Sequence, residues 1–329
     1  MEYRELGDTG EEVSVIGVGC WQLGGNWTGM SREKAVRAIK EARSLGVNFF
    51  DVAPIYGFGE AEKLLGEVVS DFREDIFIAS KVGLRWQHKF PPEQRDLSPE
   101  NIRWEIEQSL KRLGTDYIDL YQFHWPDHNE DIEKSLEVAR ELKKEGKIRY
   151  IGLSNFSVPE MDRANEIADI ASNQILYNAL ERNPLQYHGI PLEYRAEREI
   201  LPYCQENDIS VIPYSPLCQG MLTDKFDVDN WDEDDVRNAN PKFSGDWLKI
   251  CQNRVSQLKE IASDYDRPLV QLAFNWLRNQ PAITTIIAGT SDPDHVRENV
   301  ASLEWDLSES DLDRIDEIVS GEPLPEEGC

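Results

Sequence analysis

Short apolar runs rich in β-branched and aromatic residues alternate with longer stretches whose apolar positions recur at helical spacing. The predicted strands are Val15–Gly19, Asn48–Asp51, Ile76–Lys81, Tyr117–His124, Tyr150–Ser154, Asn173–Leu176, Ser210–Tyr214 and Thr284–Ala288. Among the predicted helices, "SPENIRWEIEQSLKRLG" has Ser98 as N-cap, Pro99 at the first helical position and Gly114 as its stop. Ile102, Ile106, Leu110 and Leu113 then line one face. "DIEKSLEVARELKKEGK" repeats the design with Ile132, Leu136, Ala139 and Leu142 ahead of Gly146.

Strand–helix alternation favours a parallel sheet, because parallel neighbours need a crossover and the crossover is right-handed. About eight such units predict an α/β fold closed into a (β/α)8 TIM barrel. A doubly wound open sheet is the competing architecture. Its nucleotide-binding forms want G-x-G-x-x-G after the first strand, and "GVGCWQ" and "GFGEAE" both lack the third glycine. Two additions flank the repeat. "YRELGDTGEEVSVIG" predicts an N-terminal β-hairpin turning at Gly7–Gly10, placed to plug the bottom of the barrel. Ser308–Val319 predicts an extra C-terminal helix, with a loose tail after Gly321. Long loops are expected at Leu84–Leu97, Glu181–Ala196 and Leu217–Asp246, at the strand ends where a barrel builds its site. No linker-like stretch interrupts the pattern, so residues 1–329 are expected to form one domain.

Hydrophobic residues make up 40% of the 329, enough for a large core. No run of about 18 apolar residues occurs, and the charged start lacks a secretory apolar segment, which predicts a cytoplasmic protein. Five scattered cysteines without a C-x-x-C pair suit reduced thiols rather than disulfides or zinc. Charge changes the picture more: 62 acids against 35 bases leave a formal −27. Such a balance makes nucleic acid and anionic membranes poor partners, since both are bound through basic surface. The composition resembles that of salt-adapted cytosolic proteins, whose self-repulsion is screened as the Debye length falls to ~3 Å at about 1 M salt.

Candidate chemistry lies where strands end. The second strand ends in Asp51, with Tyr56 in the loop "DVAPIYG"; the third ends in Lys81 and the fourth in His124. Each has an ordinary explanation alone: a turn cap, a packing ring, a strand-end charge, a hydrogen-bonded core histidine. Together, in a barrel, they converge on one mouth. A phenol with an ordinary pKa of ~10 needs help to act near neutrality. A neighbouring ammonium favours its phenolate, an imidazole hydrogen-bonds the reacting oxygen, and a buried lysine needs a carboxylate partner. The set makes a proton donor for a carbonyl oxygen. A metal pair of His124 and His128 is not expected, because Pro126 breaks the helix it would need. No G-x-S-x-G elbow supports a serine nucleophile.

The chain resembles the aldo-keto reductase family almost end to end, on "FFDVAPIYGFGEAEKLLGE", "SLKRLGTDYIDLYQFHWPD", "GKIRYIGLSNF", "NQILYNALER", "VIPYSPLCQGMLTDKF" and "IIAGTSDPDHVRENV". The resemblance implies a barrel that binds a nicotinamide cofactor without a Rossmann domain and reduces carbonyls without metal. Tyr56 is then the general acid, Lys81 lowers its pKa, Asp51 pairs with Lys81 and His124 orients the carbonyl. Ser154, Asn155 and Gln174 match positions that bind the carboxamide, and Tyr214 the position that stacks on the nicotinamide ring. Ser215, Leu217, Gln219, Gly220 and Lys225 match the pyrophosphate loop, where Asp224 departs from the usual Gly. Gly289, Thr290, Ser291, His295, Glu298 and Asn299 match the adenosine end. The basic residue that often grips a 2′-phosphate is missing there, yet the loop type implies NADPH, with NADH possible. Trp21, Trp27, Trp86 and Trp125 are the expected substrate wall for an aldehyde, ketone or sugar, and Asp227–Asp235 reads either as a lid or as a solvated acidic loop. The alternative is a cofactor-binding regulatory or sensor subunit on the same fold with little turnover. Oligomeric state is not legible.

Overall fold

The computed structural model describes residues 1–24, 31–84, 95–231, 233, 235–289 and 292–320. Its strands are β1 (Tyr3–Glu5), β2 (Glu12–Ser14), β3 (Ile16–Gly19), β4 (Phe49–Asp51), β5 (Phe77–Val82), β6 (Ile118–Phe123), β7 (Ile148–Ser154), β8 (Ile170–Leu176), β9 (Gln186–Tyr187), β10 (Ile190–Pro191), β11 (Ser210–Tyr214) and β12 (Ile286–Gly289). Its helices are α1 (Arg32–Ser44), α2 (Glu60–Val69), α3 (Pro99–Leu113), α4 (Ile132–Lys144), α5 (Val158–Asn165), α6 (Leu201–Glu206), α7 (Gly245–Asp264), α8 (Leu269–Arg278), α9 (Pro293–Ala301) and α10 (Glu309–Ser320).

Eight strands pair in parallel in the order β11-β8-β7-β6-β5-β4-β3-β12. The two ends meet through a parallel bridge between Val211 and Ile283, with Val211 N donating to the Ala282 carbonyl at 2.9 Å. The fold is therefore the expected (β/α)8 barrel. The helices form where capping chemistry predicts: the Ser98 side chain accepts from Asn101 N, Pro99 starts α3, and Gly114 ends it in the left-handed region. The long segment between β11 and β12 folds into two helices, α7 and α8, rather than one.

Two apolar layers hold the barrel. The larger lies between sheet and helices. The smaller fills the barrel with Phe49, Phe77, Ala79, Leu120, Ile212 and Ile287, and with Leu6 from the N-terminal hairpin. Leu6 is fully buried there, so the β1–β2 hairpin does plug the barrel. Side chains on one strand face recur every second residue. Two residues beyond Phe49, Ala79 and Leu120 stand Asp51, Lys81 and Gln122, so the same faces that build an apolar floor rise to a polar mouth. Gly152 on β7 makes room for that transition: a Cβ there would lie 2.9 Å from Gln122 and 2.8 Å from Ser172.

Candidate active site

Lys81 is the hub. Its Nζ donates to Asp51 Oδ1 at 2.6 Å, to the Val52 carbonyl at 3.3 Å and to the Tyr56 hydroxyl at 3.2 Å. An ammonium has three donors, and all three are used. The His124 ring stands edge-on to Tyr56 with centroids 6.2 Å apart, and the Trp21 ring lies 6.4 Å from Tyr56. The structure thus brings together all four residues expected at successive strand ends.

The loop that carries Tyr56 is held by backbone contact. Gly57 has φ 57, and a Cβ on it would sit 2.4 Å from Gly24 Cα. Only glycine fits that close approach with that backbone, which presses the Tyr56 turn against Trp21–Gly24.

Burial decides the charges. Lys81 is 0% exposed, and burial pulls its pKa down against the attraction of Asp51. Burial and then the Asp51 carboxylate push Tyr56 well above the usual phenol value. The expected acidification of Tyr56 by Lys81 is therefore not the net outcome, because the ammonium is already matched by Asp51 and a buried phenolate is costly. Burial and then Lys81 pull His124 well below the usual imidazole value, which keeps it neutral. The result is a phenol that holds its proton beside a neutral imidazole, able to protonate an oxygen as negative charge develops on it.

A second layer steadies Asp51. Its Oδ2 accepts from Gln174 Nε2 at 2.8 Å and from Gln122 Nε2 at 3.2 Å. With Gln174 Nε2 spent there and on Gln122 Oε1 (3.2 Å), the Gln174 carbonyl oxygen is the atom suited to accept from a carboxamide. Asn155, at φ 64, donates to the His124 carbonyl and to Ser154 Oγ, each at 3.2 Å. Its Oδ1 accepts from the hydroxyls of Tyr214 (2.9 Å) and Tyr194 (3.2 Å). Ser154, Asn155, Gln174 and Tyr214 therefore stand together beside the four central residues. Gln122 and Tyr194 were missed from sequence. Gln122 left a signal, since in "YQFH" it lies two residues before His124 on the same strand face, whereas Tyr194 left none.

Ser215, Leu217, Gln219 and Gly220 form a tight turn after β11, with Ser215, Cys218 and Gln219 at φ 54, 48 and 54. Lys225 is exposed further along. Asp224 does not face that turn: its carboxylate accepts from Leu269 N at the start of α8 (3.2 Å) and lies 3.8 Å from Lys259. Gly289 ends β12, while His295, Glu298 and Asn299 lie on α9, where His295 is exposed and Asn299 buried. Trp125 is buried beneath the Arg95 guanidinium, 5.1 Å from its ring centre. Trp27, Trp86, Thr290 and Ser291 lie outside the described residues. Of the acidic loop, Asp227 and Asp235 cap short helical turns. His128 faces two carboxylates, Glu193 at 3.0 Å and Glu160 at 3.8 Å. Among the described residues, no helix is long and apolar enough to cross a membrane.

A model of the Aldo/keto reductase family matches residues 15–320. The aldo-keto reductase YhdN of Bacillus subtilis (strain 168) is 36% identical over 324 residues, covering 97% of this chain and 94% of that protein. The NADH-specific methylglyoxal reductase of Escherichia coli (strain K12) is 33% identical, covering 97% of this chain and 98% of that one. Among solved structures, a glycerol dehydrogenase from Gluconobacter oxydans matches with a TM-score of 0.85 at 30% identity, over 98% of this chain and 97% of its own.

Proposed function

Because the chain belongs to the aldo/keto reductase family and is an NAD(P)H-dependent oxidoreductase, we propose that it reduces the carbonyl group of a small aldehyde or ketone to an alcohol, with Tyr56 as proton donor. The observation that carries this is the Tyr56 hydroxyl, protonated and 3.2 Å from Lys81 Nζ, beside the neutral His124 ring.

The residues at the mouth fit a nicotinamide dinucleotide. The Gln174 side-chain carbonyl and the Ser154 hydroxyl, held in place by Asn155, offer hydrogen bonds to a carboxamide, Tyr214 offers a ring face, and the left-handed turn at Ser215–Gln219 offers backbone to a phosphate. When bound, the reduced nicotinamide supplies the hydride that reaches the carbonyl carbon. Tyr56 then gives its proton to the carbonyl oxygen, and His124 holds that oxygen by a hydrogen bond. Lys81, through its own three hydrogen bonds, keeps the phenol aimed at the mouth, and Asp51 keeps Lys81 charged. NADPH is the proposed cofactor, with NADH measured against it in the same assay. Trp21, packed against Tyr56, makes the nearest part of an aromatic substrate wall.

The formal charge of −27 supports a salt-rich cytoplasm as the setting, because screening lets a polyanionic cofactor approach an acidic surface. The test of the chemistry is Tyr56→Phe. Carbonyl-dependent oxidation of NADPH should fall about 10²- to 10⁴-fold, the usual worth of a positioned acid, with cofactor binding retained. A fully active Tyr56→Phe enzyme would sink this assignment.

A further inference from the structure

The loop after β8 contains a small hairpin that the sequence reading passed over. Gln186–Tyr187 and Ile190–Pro191 pair antiparallel across His188 and Gly189. Both turn residues are left-handed, at φ 51 and 78, the backbone that a two-residue hairpin turn requires. The hairpin delivers two aromatic side chains onto the wall proposed for the cofactor. The Tyr187 ring meets Tyr214 edge-on, with centroids 5.2 Å apart. The His188 ring packs on Tyr187 at 4.4 Å, and its Nε2 lies 2.8 Å from Gln219 Nε2. Burial and then the nearby Lys242 pull the His188 pKa down to about 4, so near neutral pH the ring accepts and the Gln219 amide donates. Gln219 Oε1 in turn accepts from Asn240 Nδ2 at 3.1 Å.

The Gln219 side chain is thus engaged at both ends inside the protein. What it can offer an anion is its backbone, and that backbone is left-handed, as it is at Ser215 and Cys218. Residues with side chains adopt that conformation in succession only when their surroundings impose it. Here the surroundings are identifiable. Asn178 Nδ2 holds the Ser215 carbonyl at 3.0 Å, and Lys242 is locked to Glu181 behind it. Tyr187 and His188 close the remaining side.

We propose that Tyr187 and His188 are positioning residues for cofactor binding, presetting through Ser215, Gln219 and Tyr214 the turn that receives the phosphates and the ring that faces the nicotinamide. This rests on the reading that the mouth binds a nicotinamide dinucleotide.

The experiment compares the full-length enzyme with Tyr187→Leu, His188→Ala, His188→Phe, Gln219→Ala and the double variant His188→Ala/Gln219→Ala. NADPH affinity is measured by fluorescence titration, kcat and KM at saturating carbonyl, and stability by thermal melting. Tyr187→Leu, which loses the ring contact with Tyr214, and His188→Ala, which loses the bond to the Gln219 amide, should each raise the NADPH Kd and KM by about three- to tenfold, with kcat within about twofold. A merely structural role would lower the melting temperature without splitting KM from kcat. In the Gln219→Ala background, His188→Ala should add little, because its effect runs through that amide. If His188→Ala fails to fold, His188→Phe, which keeps a ring against Tyr187 and removes the acceptor, carries the test. Unchanged NADPH affinity in Tyr187→Leu or in the His188 variants, or an undiminished His188→Ala effect without the Gln219 amide, overturns the proposal while leaving the reductase reading intact. A wild-type enzyme that binds neither NADPH nor NADH overturns both.

Discussion

Two lysines are buried against carboxylates in this barrel, and their pKa values are pushed in opposite directions. Lys81 meets Asp51 at 2.6 Å in the mouth, and burial wins, so its pKa falls. Lys242 meets both oxygens of Glu181, at 3.1 and 3.2 Å, and its pKa rises. Both lose hydration to a similar degree, being 0% and 2% exposed. What differs is the company. Asp51 shares its second oxygen with two glutamine amides, and the other donors of Lys81 go to a neutral phenol and a carbonyl. Lys242 has the Cys218 thiol close by, both oxygens of Glu181 (one also accepting from Asn178 Nδ2 at 2.8 Å and from Cys218 Sγ at 3.3 Å) and the Tyr187 phenol, so several electron-rich neighbours surround it. A buried pair can thus be built to hold a loop or to align a neighbouring proton donor, according to what surrounds it.

The largest expected effect comes from breaking the pair in the mouth. Lys81→Met leaves the Asp51 carboxylate buried without its cation, which should cost about 3–5 kcal/mol of stability in addition to the turnover lost with the phenol's alignment. Denaturant unfolding and NADPH oxidation would show both. Lys242→Met should cost a comparable ~3–5 kcal/mol for the same reason, but its kinetic signature should be a raised cofactor KM. The contrast sharpens in the double variants. Replacing a whole buried pair by apolar groups is often neutral, so Glu181→Leu/Lys242→Met should recover most of the stability and keep measurable turnover. Asp51→Leu/Lys81→Met should recover stability and stay inactive. Equal turnover in the two double variants would erase the distinction drawn here.

A third buried acid extends the comparison to a group with no cation in ion-pair contact among the described residues. Glu105 on α3 is 4% exposed and accepts from Asn101 Nδ2 (2.9 Å) and Gly83 N (3.3 Å). Burial, its largest influence, pushes its pKa from 4.5 up to about 7. A carboxyl with a raised folded-state pKa binds its proton more tightly when folded. Its contribution is full below pH 4.5 and lost as pH rises through about 7. Glu105→Gln should therefore match wild type near pH 4.5 and exceed it at pH 8 by roughly 3 kcal/mol, measured by urea unfolding at each pH. The smallest effect should come from the surface. Raising salt toward about 1 M should lift the melting temperature by screening the net −27, and stability indifferent to salt would remove the case for a salt-rich setting.

Much of this was legible in the chain because it is local. Strand ends at Asp51, Lys81 and His124 follow from apolar runs that stop on a polar residue, and α3 announces itself through Ser98, Pro99 and Gly114. The plug at Leu6 followed from alternation around Gly7–Gly10. The β9–β10 hairpin left a faint signal, a His-Gly pair between Tyr187 and Ile190, in a stretch too short to show a period. Asp224 looked like an intruder beside phosphate, and its partner at Leu269, 45 residues on, could not be read from its neighbours.

The sequence by itself determined the barrel, the position of each central residue on it and the kind of chemistry they support, because hydrophobic period and capping act over a few residues. Only the tertiary structure decided that Tyr56 keeps its proton, that His124 stays neutral, and that the pKa values of Lys81 and Lys242 move in opposite directions. Those depend on burial and on distances between atoms far apart in the chain, and desolvation has no local signature in the sequence.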